Sequence, residues 1–416
     1  MQSFRSPQRA ALAFLACAVV QACSASAQDQ GPATLEERAL RLTQDALLVD
    51  THIDVPYRLH AQGSARDDVS QRTAGGHFDW ERGRAGGLDL PFFSIYVPAE
   101  YQAEPKGSAR AFADQLIDQV EDVVAASHGK FELVRSTADA RRVQAAGRMG
   151  IALGIENGAA LEDELANVAH FQGRGVRYVT LTHSKDNLIC DSSYSTEHRW
   201  GGLSPYGRMV VAEMNRLGVL VDVSHLSDQA FDDVLEVSRA PVIASHSSCR
   251  HFTPGFERNL DDERIRALAR AGGVIQINFG STFLTQASNR SSIAEFQAVG
   301  EQAAAQGVAP DSPEGEAIRE RWRAEHPLVG TRLSDAADHI DHVRALVGPE
   351  HVGIGSDYDG VSSVPEGLED VSRYPALVAE LMRRGWSDAD LRLLLGENLM
   401  RVWAEAERVA AAGSAR

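Results

Sequence analysis

The chain has 416 residues, of which 44% are hydrophobic and 24% are charged. This composition is ordinary for a soluble globular enzyme and excludes a fibrous or largely disordered chain. The formal net charge of −17 argues against nucleic acid as a partner, because phosphate binding requires clustered lysine and arginine side chains.

The first predicted element is an export signal over residues 1–27. Two arginines precede an apolar run over residues 10–20, and small residues follow it. The run is too short to cross roughly 30 Å of hydrocarbon, so it predicts a secretory signal peptide rather than a transmembrane helix. Two processing routes stay open: cleavage after Ala27, and lipoprotein processing before Cys23, which would anchor the protein to a membrane by lipid. Either route predicts an exported protein, periplasmic or on the outer surface.

Cleavage after Ala27 leaves two cysteines, Cys190 and Cys249. An oxidising compartment would allow one disulfide between them, but their separation in space is not readable from the sequence. The disulfide therefore stays an open question at this point.

Beyond the signal, eight short apolar runs alternate with longer amphipathic segments. The runs are rich in Val, Ile and Leu, as is typical of strands buried on both faces of a parallel sheet. They end at residues 52, 97, 156, 183, 225, 246, 279 and 357. Segments 204–218, 227–239 and 261–273 open with a Ser or Asp cap and end at a Gly or Pro break, which predicts helices. The pattern predicts an α/β fold, a closed (β/α)₈ TIM-type barrel over residues 35–411, with an open doubly wound sheet as the alternative.

Two segments interrupt this alternation. Residues 99–148 contain two helical patterns where one crossover would suffice, and residues 280–332 form a long insertion rich in Ala, Glu and Gln. Neither has enough apolar periodicity for a core of its own, so both are predicted to be elaborated barrel loops rather than domains. The insertion could form a lid or an oligomer contact, and a homodimer is one possibility.

Polar side chains stand at the ends of most of the predicted strands. Because a barrel brings the carboxyl ends of its strands to one mouth, where barrel enzymes place their chemistry, we expect a single site there. In the first strand His52 and Asp54 point to the same side, because residues two apart share a face. The full set is His52, Asp54, Glu156, His183, His225, His246 and Asp357.

These donors predict a metal site. Imidazole and carboxylate ligands without cysteine favour zinc in a catalytic role, or less often manganese, iron or cobalt. Several histidines with an Asp and a Glu are too many for one catalytic zinc that keeps an open position, so two ions bridged by a carboxylate are predicted. Such a pair would share a hydroxide, a nucleophile that predicts hydrolysis.

Segments across essentially the whole mature chain resemble the membrane (renal) dipeptidase family of zinc metallopeptidases. The H-x-D of the first segment, in place of the H-x-H of most amidohydrolase barrels, distinguishes this family from its relatives. The segments are VDTHIDVPYR, GIENG, LTHSKDN, GLSPYGRMVVAEMNRLGVLVDVSH, PVIASHSS, ERNLDD, GVIQINF and HVGIGSDYDG.

The resemblance implies the ligands of two zinc ions. His52, Asp54 and Glu156 would hold one ion. Glu156, His225 and His246 would hold the other, which makes Glu156 the bridge together with a hydroxide.

The resemblance also implies the residues that handle the substrate. His183 would polarise the scissile carbonyl, and Asp357 would transfer the proton and hold the substrate amine. Arg258 would bind the substrate carboxylate. Arg250 and Glu257 are nearby, so the alternative for Arg258 is a helix cap or a surface pair with Glu257.

The function implied is hydrolysis of small dipeptides, with tolerance of a D-residue on the carboxyl side. Two alternatives remain: another amidohydrolase-barrel hydrolase, such as an N-acyl amino acid deacylase or a lactonase, and a non-catalytic zinc barrel that binds peptides.

Other polar residues receive structural predictions. His60, His128 and His342 lie in helical or loop patterns and are expected to face solvent or to cap helices. Asp222, three residues before His225, is a possible partner that orients a metal ligand.

Overall fold

A computed structural model describes residues 33–310 and 312–414; the predicted signal at 1–27 lies outside these residues. Nine strands occur in the described part of the chain. They are β1 (Leu48–Ile53), β2 (Leu88–Tyr96), β3 (Phe131–Leu133), β4 (Met149–Glu156), β5 (Val176–Thr180), β6 (Leu220–Asp222), β7 (Ile243–Ser247), β8 (Val274–Ile277) and β9 (Val352–Ile354).

Eight of these strands form the wall of a nearly closed parallel barrel. Their order is β1-β2-β4-β5-β6-β7-β8-β9, and each neighbouring pair is parallel. The last strand returns to the first just beyond its end, where the Asp357 amide donates to the His52 carbonyl at 3.0 Å and the Asp54 amide donates to the Tyr358 carbonyl at 2.8 Å. The predicted (β/α)₈ fold is therefore confirmed, and the open-sheet alternative is wrong.

Helices connect the strands and surround the barrel. Three segments predicted from their caps are helices, and Ser204, Ser227 and Asp261 each accept a hydrogen bond from a backbone amide in the first turn. The α-helices of the described residues are α1 (Leu35–Asp45), α2 (Val55–Ala61), α3 (Trp80–Gly86), α4 (Ser108–Ala126), α5 (Thr137–Ala145), α6 (Ala166–Arg174), α7 (Pro205–Leu217), α8 (Asp228–Val237), α9 (Asp262–Arg270), α10 (Gln286–Gln306), α11 (Pro313–Glu325), α12 (Leu333–Val347), α13 (Tyr374–Arg383), α14 (Asp388–Arg392) and α15 (Asn398–Ser414). None of them is long and apolar enough to span a membrane.

The core has two layers. The larger one lies between strands and surrounding helices, and Phe93 of β2 and Phe231 of α8 are among its buried members. The smaller one fills the barrel interior, where Trp403 of α15 packs against Phe92 with ring centroids 5.6 Å apart. The residues that α15 contributes to this smaller layer are apolar, among them Leu399, Val402 and Trp403.

The two interrupting segments form extra structure on the barrel. Residues 99–148 contain α4 and α5, as expected, and also β3, which pairs with β4 outside the barrel. In the insertion, α10 and α11 pack together around a small apolar cluster of Val299, Ala303 and Ile318. The insertion thus has a few core residues of its own, which the weak apolar periodicity of the sequence did not predict.

Cys190 and Cys249 are both free and buried. They form no disulfide with each other, and the open question is answered. Burial raises the pKa of the Cys249 thiol above its usual range.

Candidate active site

The seven site residues predicted at strand ends all lie at the carboxyl end of the barrel. His52, Glu156 and His246 stand in strands, and Asp54 is the residue before α2. The other three, His183, His225 and Asp357, each follow a strand by three residues rather than ending it. The physical reason is clear for two of them, because His225 (φ +70°) and Asp357 (φ +62°) adopt left-handed backbone conformations that a strand excludes. Such conformations are costly for residues other than glycine and concentrate at functional sites.

Glu156 is the centre of the cluster, and its two carboxylate oxygens face different partners. Oε2 lies 3.4 Å from His52 Nε2 and accepts a hydrogen bond from Ser94 Oγ at 3.2 Å. Oε1 lies 3.0 Å from His225 Nε2 and 3.3 Å from His246 Nε2. One carboxylate therefore stands between two sets of imidazole nitrogens.

The spacing of these atoms fits a metal centre. Ligand atoms 2.0 to 2.1 Å from a tetrahedral zinc ion are about 3.3 Å apart. The contacts of Glu156 are close to this distance, and so are two others. His52 Nε2 lies 3.4 Å from Asp54 Oδ2, and the Nε2 atoms of His225 and His246 are 2.9 Å apart. His52 Nε2 is buried and has no hydrogen-bond partner among the described residues. A buried, unpaired ring nitrogen between two carboxylates is costly unless a cation binds there.

Within this cluster, three overlapping groups offer ligand atoms that lie within 4.8 Å of one another. The groups share His52 or Glu156, so they form one continuous centre and do not by themselves divide the ligands between two ions. They are His52 with Glu156 and His246, Glu156 with His183 and His225, and His52 with Asp54 and Asp357.

The protonation of His52 is set by a residue that the sequence did not reveal. Its Nδ1 lies 2.8 Å from the Tyr178 hydroxyl, which donates its own proton to the Thr51 carbonyl at 3.0 Å. The hydroxyl must therefore accept from Nδ1–H, which leaves Nε2 as the ring nitrogen that faces the carboxylates and could bind a metal ion. Tyr178 looked like an ordinary core residue of a buried strand.

His246 is oriented in the same way through Ser245 and Asp222. Its Nδ1 lies 2.7 Å from Ser245 Oγ, and that hydroxyl donates to Asp222 Oδ2 at 2.6 Å. The fully buried Asp222 also accepts from the Thr180 hydroxyl. Asp222 thus supports a histidine, as suggested by its position, but it supports His246 rather than His225. Burial lowers the pKa of both His225 and His246 well below the usual range, which favours the neutral ligand form.

Asp357 is held on one side and free on the other. Asn278 Nδ2 donates to its Oδ2 at 2.7 Å. A Cβ atom at position 360 would lie only 2.5 Å from Asp357 Oδ1 and 2.3 Å from Asp54 Oδ2, so Gly360 makes room for both carboxylates. Burial raises the pKa of Asp357 to about 8 in the metal-free protein. The contact of Asn278 was not predicted.

His183 lies on the open side of the cluster. Its side chain is 21% exposed, compared with 6% for Glu156, and its Nε2 is 3.5 Å from Glu156 Oε1. Its ring contacts the rings of Tyr96 and His225. It is therefore the histidine of this group that a ligand in the mouth can approach.

Arg258 is buried, with 2% of its surface exposed. It donates to Ser247 Oγ and to the His246 carbonyl, both at 2.8 Å, and its Nε has no partner in the described residues. No carboxylate lies within ion-pair distance of it in residues 33–310 and 312–414, and Glu257 instead accepts from the Asp228 amide. The surface-pair alternative is wrong.

Arg250 is already occupied by other groups. It pairs with Asp228 at 2.6 Å and with Asp261 at 3.4 Å, and it donates to two carbonyls of its own loop. Of these two arginines, Arg258 is the one that has no acidic partner in residues 33–310 and 312–414.

The residues predicted to be structural behave differently from one another. His60 packs edge-on against Phe112, and His128 is exposed. His342 is not solvent-facing, because it is bonded to Asp262 at 2.8 Å and its side chain is only 15% exposed.

Comparisons with known proteins agree with the predicted family. The family model described as "Membrane dipeptidase (Peptidase family M19)" matches residues 36–416. Dipeptidase verJ from Clonostachys rogersoniana is 34% identical over 386 residues, which cover 89% of this chain and 87% of the relative.

Solved structures show the same architecture. The probable dipeptidase PvdM from Pseudomonas aeruginosa aligns with a TM-score of 0.77 at 28% identity, covering 90% of this chain and 99% of that one. A metallopeptidase from Rhodobacter sphaeroides, bound to a phosphinate mimic of the dipeptide L-Ala-D-Ala, aligns with a TM-score of 0.71 at 25% identity, covering 87% and 100%.

Proposed function

Because this chain belongs to the membrane dipeptidase family and is therefore a metallo-dipeptidase, we propose that it hydrolyses the peptide bond of small dipeptides with two zinc ions. The observation that carries the proposal is Glu156, whose two oxygens face separate sets of imidazole nitrogens. A carboxylate placed in this way suits a bridge between two ions.

The ligand sets follow from the residues present. His52, Asp54 and Glu156 would hold one ion. Glu156, His225 and His246 would hold the other. When bound, two zinc ions supply positive charge that polarises the scissile carbonyl and makes water nucleophilic near neutral pH.

Arg258 supplies the reason for stopping at dipeptides. A buried guanidinium without an acidic partner is costly, and a substrate carboxylate would neutralise it. Arginine grips a carboxylate with two parallel hydrogen bonds, which fixes the distance from the carboxylate to the scissile bond. A peptide with a further residue would place an uncharged amide there and leave the arginine unpaired.

Asp357 and His183 complete the site. The bond from Asn278 holds Asp357 Oδ2 and leaves Oδ1 on the side of Asp54. This carboxylate takes a proton from the attacking water and delivers it to the departing amine nitrogen, as a general base and then a general acid. His183, on the open side, donates a hydrogen bond to the carbonyl oxygen as negative charge develops on it.

Tolerance of a D-residue on the carboxyl side is part of the proposal. Support comes from the Rhodobacter sphaeroides relative, whose bound ligand mimics L-Ala-D-Ala. Export, by signal cleavage after Ala27 or by lipidation at Cys23, is proposed from the first 27 residues alone.

A substrate panel tests the reaction. The zinc-loaded enzyme is incubated with L-Ala-L-Ala, L-Ala-D-Ala, the amidated dipeptide, a tripeptide, an N-acyl amino acid and a lactone. Released amino acids are measured for the peptides and the N-acyl amino acid, and the ring-opened hydroxy acid is measured for the lactone. We expect cleavage of the two free dipeptides and little of the others. Preferred cleavage of the N-acyl amino acid or the lactone would support the alternative hydrolase, and no cleavage of any compound would support the non-catalytic barrel.

A further inference from the structure

A second cluster of metal-ligand side chains lies outside the site described above. His251 belongs to a short 3₁₀ turn after β7, Asp262 is the first residue of α9, and His342 lies in α12. Three separate elements therefore bring two imidazoles and a carboxylate together. None of the three residues has a role in the proposed reaction.

The geometry of this cluster is close to that of a metal site. His342 Nε2 lies 2.8 Å from Asp262 Oδ1, and one ligand atom from each of the three residues lies within 4.8 Å of the other two. Ligand atoms of a tetrahedral zinc ion are about 3.3 Å apart. His251 is exposed, so its ring could change rotamer without disturbing the core.

The hydrogen bond between His342 and Asp262 does not explain why the His251 ring lies beside them. Its ring stacks on that of His342 with centroids 4.4 Å apart, and it has no hydrogen-bond partner among the described residues. Two imidazoles with one carboxylate are a donor set used by zinc, with a fourth position left for water.

Another histidine and aspartate pair in the chain shows the contrast. His170 also bonds an aspartate, Asp114, but Arg174 lies 2.7 Å from the same carboxylate and supplies the positive charge. In the second cluster, Arg266 Nη2 lies 4.0 Å from Asp262 Oδ2, whereas His342 contacts Oδ1. Among the described residues, no arginine therefore lies closer than 4.0 Å to the Asp262 carboxylate.

We propose that His251, Asp262 and His342 bind a divalent transition-metal ion, with zinc as the probe, at a site separate from the catalytic centre. The ion joins both ends of the segment 251–262 to α12. Because only the folded chain brings these three residues together, the bound ion stabilises the fold.

The test counts metal on the full-length holoenzyme. Wild type and His251→Ala/His342→Ala are dialysed against buffers of increasing free zinc, and zinc per chain is measured by mass spectrometry. Wild type should bind about one ion per chain more than the variant. Asp262→Asn, which keeps the size of the side chain, should show the same loss even if the double variant folds poorly. Equal zinc content in wild type and in these variants would overturn the proposal.

A control and a second readout separate this site from other effects. His128→Asn/His326→Ala removes two other exposed imidazoles and should retain the full metal content. Added zinc should raise the melting temperature of wild type further than that of His251→Ala/His342→Ala. A loss of zinc in the control as large as in the double variant would mean nonspecific binding. Because the readouts are metal content and melting temperature, an inactive enzyme would refute the proposed function without deciding this inference.

Discussion

At the amino-terminal end of the barrel Trp403 packs against Phe92 in an apolar layer, whereas at the carboxyl end Glu156 lies among histidine nitrogens. The same eight strands form both ends. The apolar layer at the amino-terminal end removes apolar surface from water and stabilises the fold. The carboxyl end buries polar atoms, such as His52 Nε2, that lack partners in the described residues. Burying these atoms costs free energy unless ligands bind there. Stability and chemistry therefore occupy opposite ends of one barrel, and the predictions below test this separation.

The largest effect is expected from Glu156→Gln. The amide loses the negative charge that faces both sets of imidazoles, so we expect loss of metal and of nearly all dipeptidase activity. Asp54→Asn, which removes a ligand of one proposed ion only, is the matched comparison and should retain more metal. Metal content by mass spectrometry and turnover of L-Ala-D-Ala are the measurements. Greater metal loss in Asp54→Asn than in Glu156→Gln would contradict the bridge.

Asp357→Asn should retain metal and lose turnover. The amide cannot carry the proton from water to the amine, and general acid–base groups contribute roughly 10²- to 10⁴-fold to rate. The rate constant of the zinc-loaded variant is compared with that of Asp388→Asn, in which the changed side chain is exposed at 59%. If metal content and rate both survive in Asp357→Asn, the proton belongs to another group.

At the opposite end, Trp403→Ala should destabilise the fold by roughly 3 to 5 kcal/mol, because it leaves a cavity in the barrel interior. Denaturant unfolding measures the loss. The folded variant should keep a near-normal kcat/KM at low temperature. Phe296→Ala, at a ring that is 79% exposed, is the control and should change stability little. A specific loss of activity in folded Trp403→Ala would contradict the claim that stability and chemistry occupy opposite ends of the barrel.

Arg258→Lys should weaken cleavage of free dipeptides by roughly 2 kcal/mol in kcat/KM, the scale of a charge-assisted hydrogen bond. Lysine cannot reproduce the two parallel hydrogen bonds. The amidated dipeptide should be a poor substrate for both forms. Arg250→Lys, whose arginine is engaged with Asp228 and Asp261, should show no such preference. An equal loss on free and amidated substrates in Arg258→Lys would indicate a folding defect instead.

An effect similar in size to that of Arg258→Lys is expected from Tyr178→Phe, which lies between the two ends. The ring still fills the barrel interior, but His52 loses the hydroxyl that orients it. Loss of such a partner typically lowers metal affinity or activity about 10- to 100-fold. Zinc titration and denaturant unfolding should show weaker metal binding with little change in the stability of the metal-free protein. Unchanged zinc affinity would mean that packing alone orients His52.

The sequence by itself determined the barrel and the residue types at its mouth. Strand patterns and helix caps such as Ser204 and Ser227 are local, so each could be recognised from neighbouring residues. The positions of His52 and Glu156 at strand ends then followed from the rule that barrel strands end at one mouth. The short strand β3 escaped this reasoning because three residues do not make a periodic pattern.

Only the tertiary structure decided which groups support the site and which stay unpaired. Tyr178, Ser245 and Asn278 contact site residues, but each lies beyond the range of any local pattern or reads as ordinary strand sequence. Within the described part of the chain Arg258 has no acidic partner, and this absence, like the stacking of His251 on His342, depends on side chains brought together from distant segments. Local patterns determine elements, whereas hydrogen bonds, burial and metal geometry depend on distances in space, which chain order does not contain.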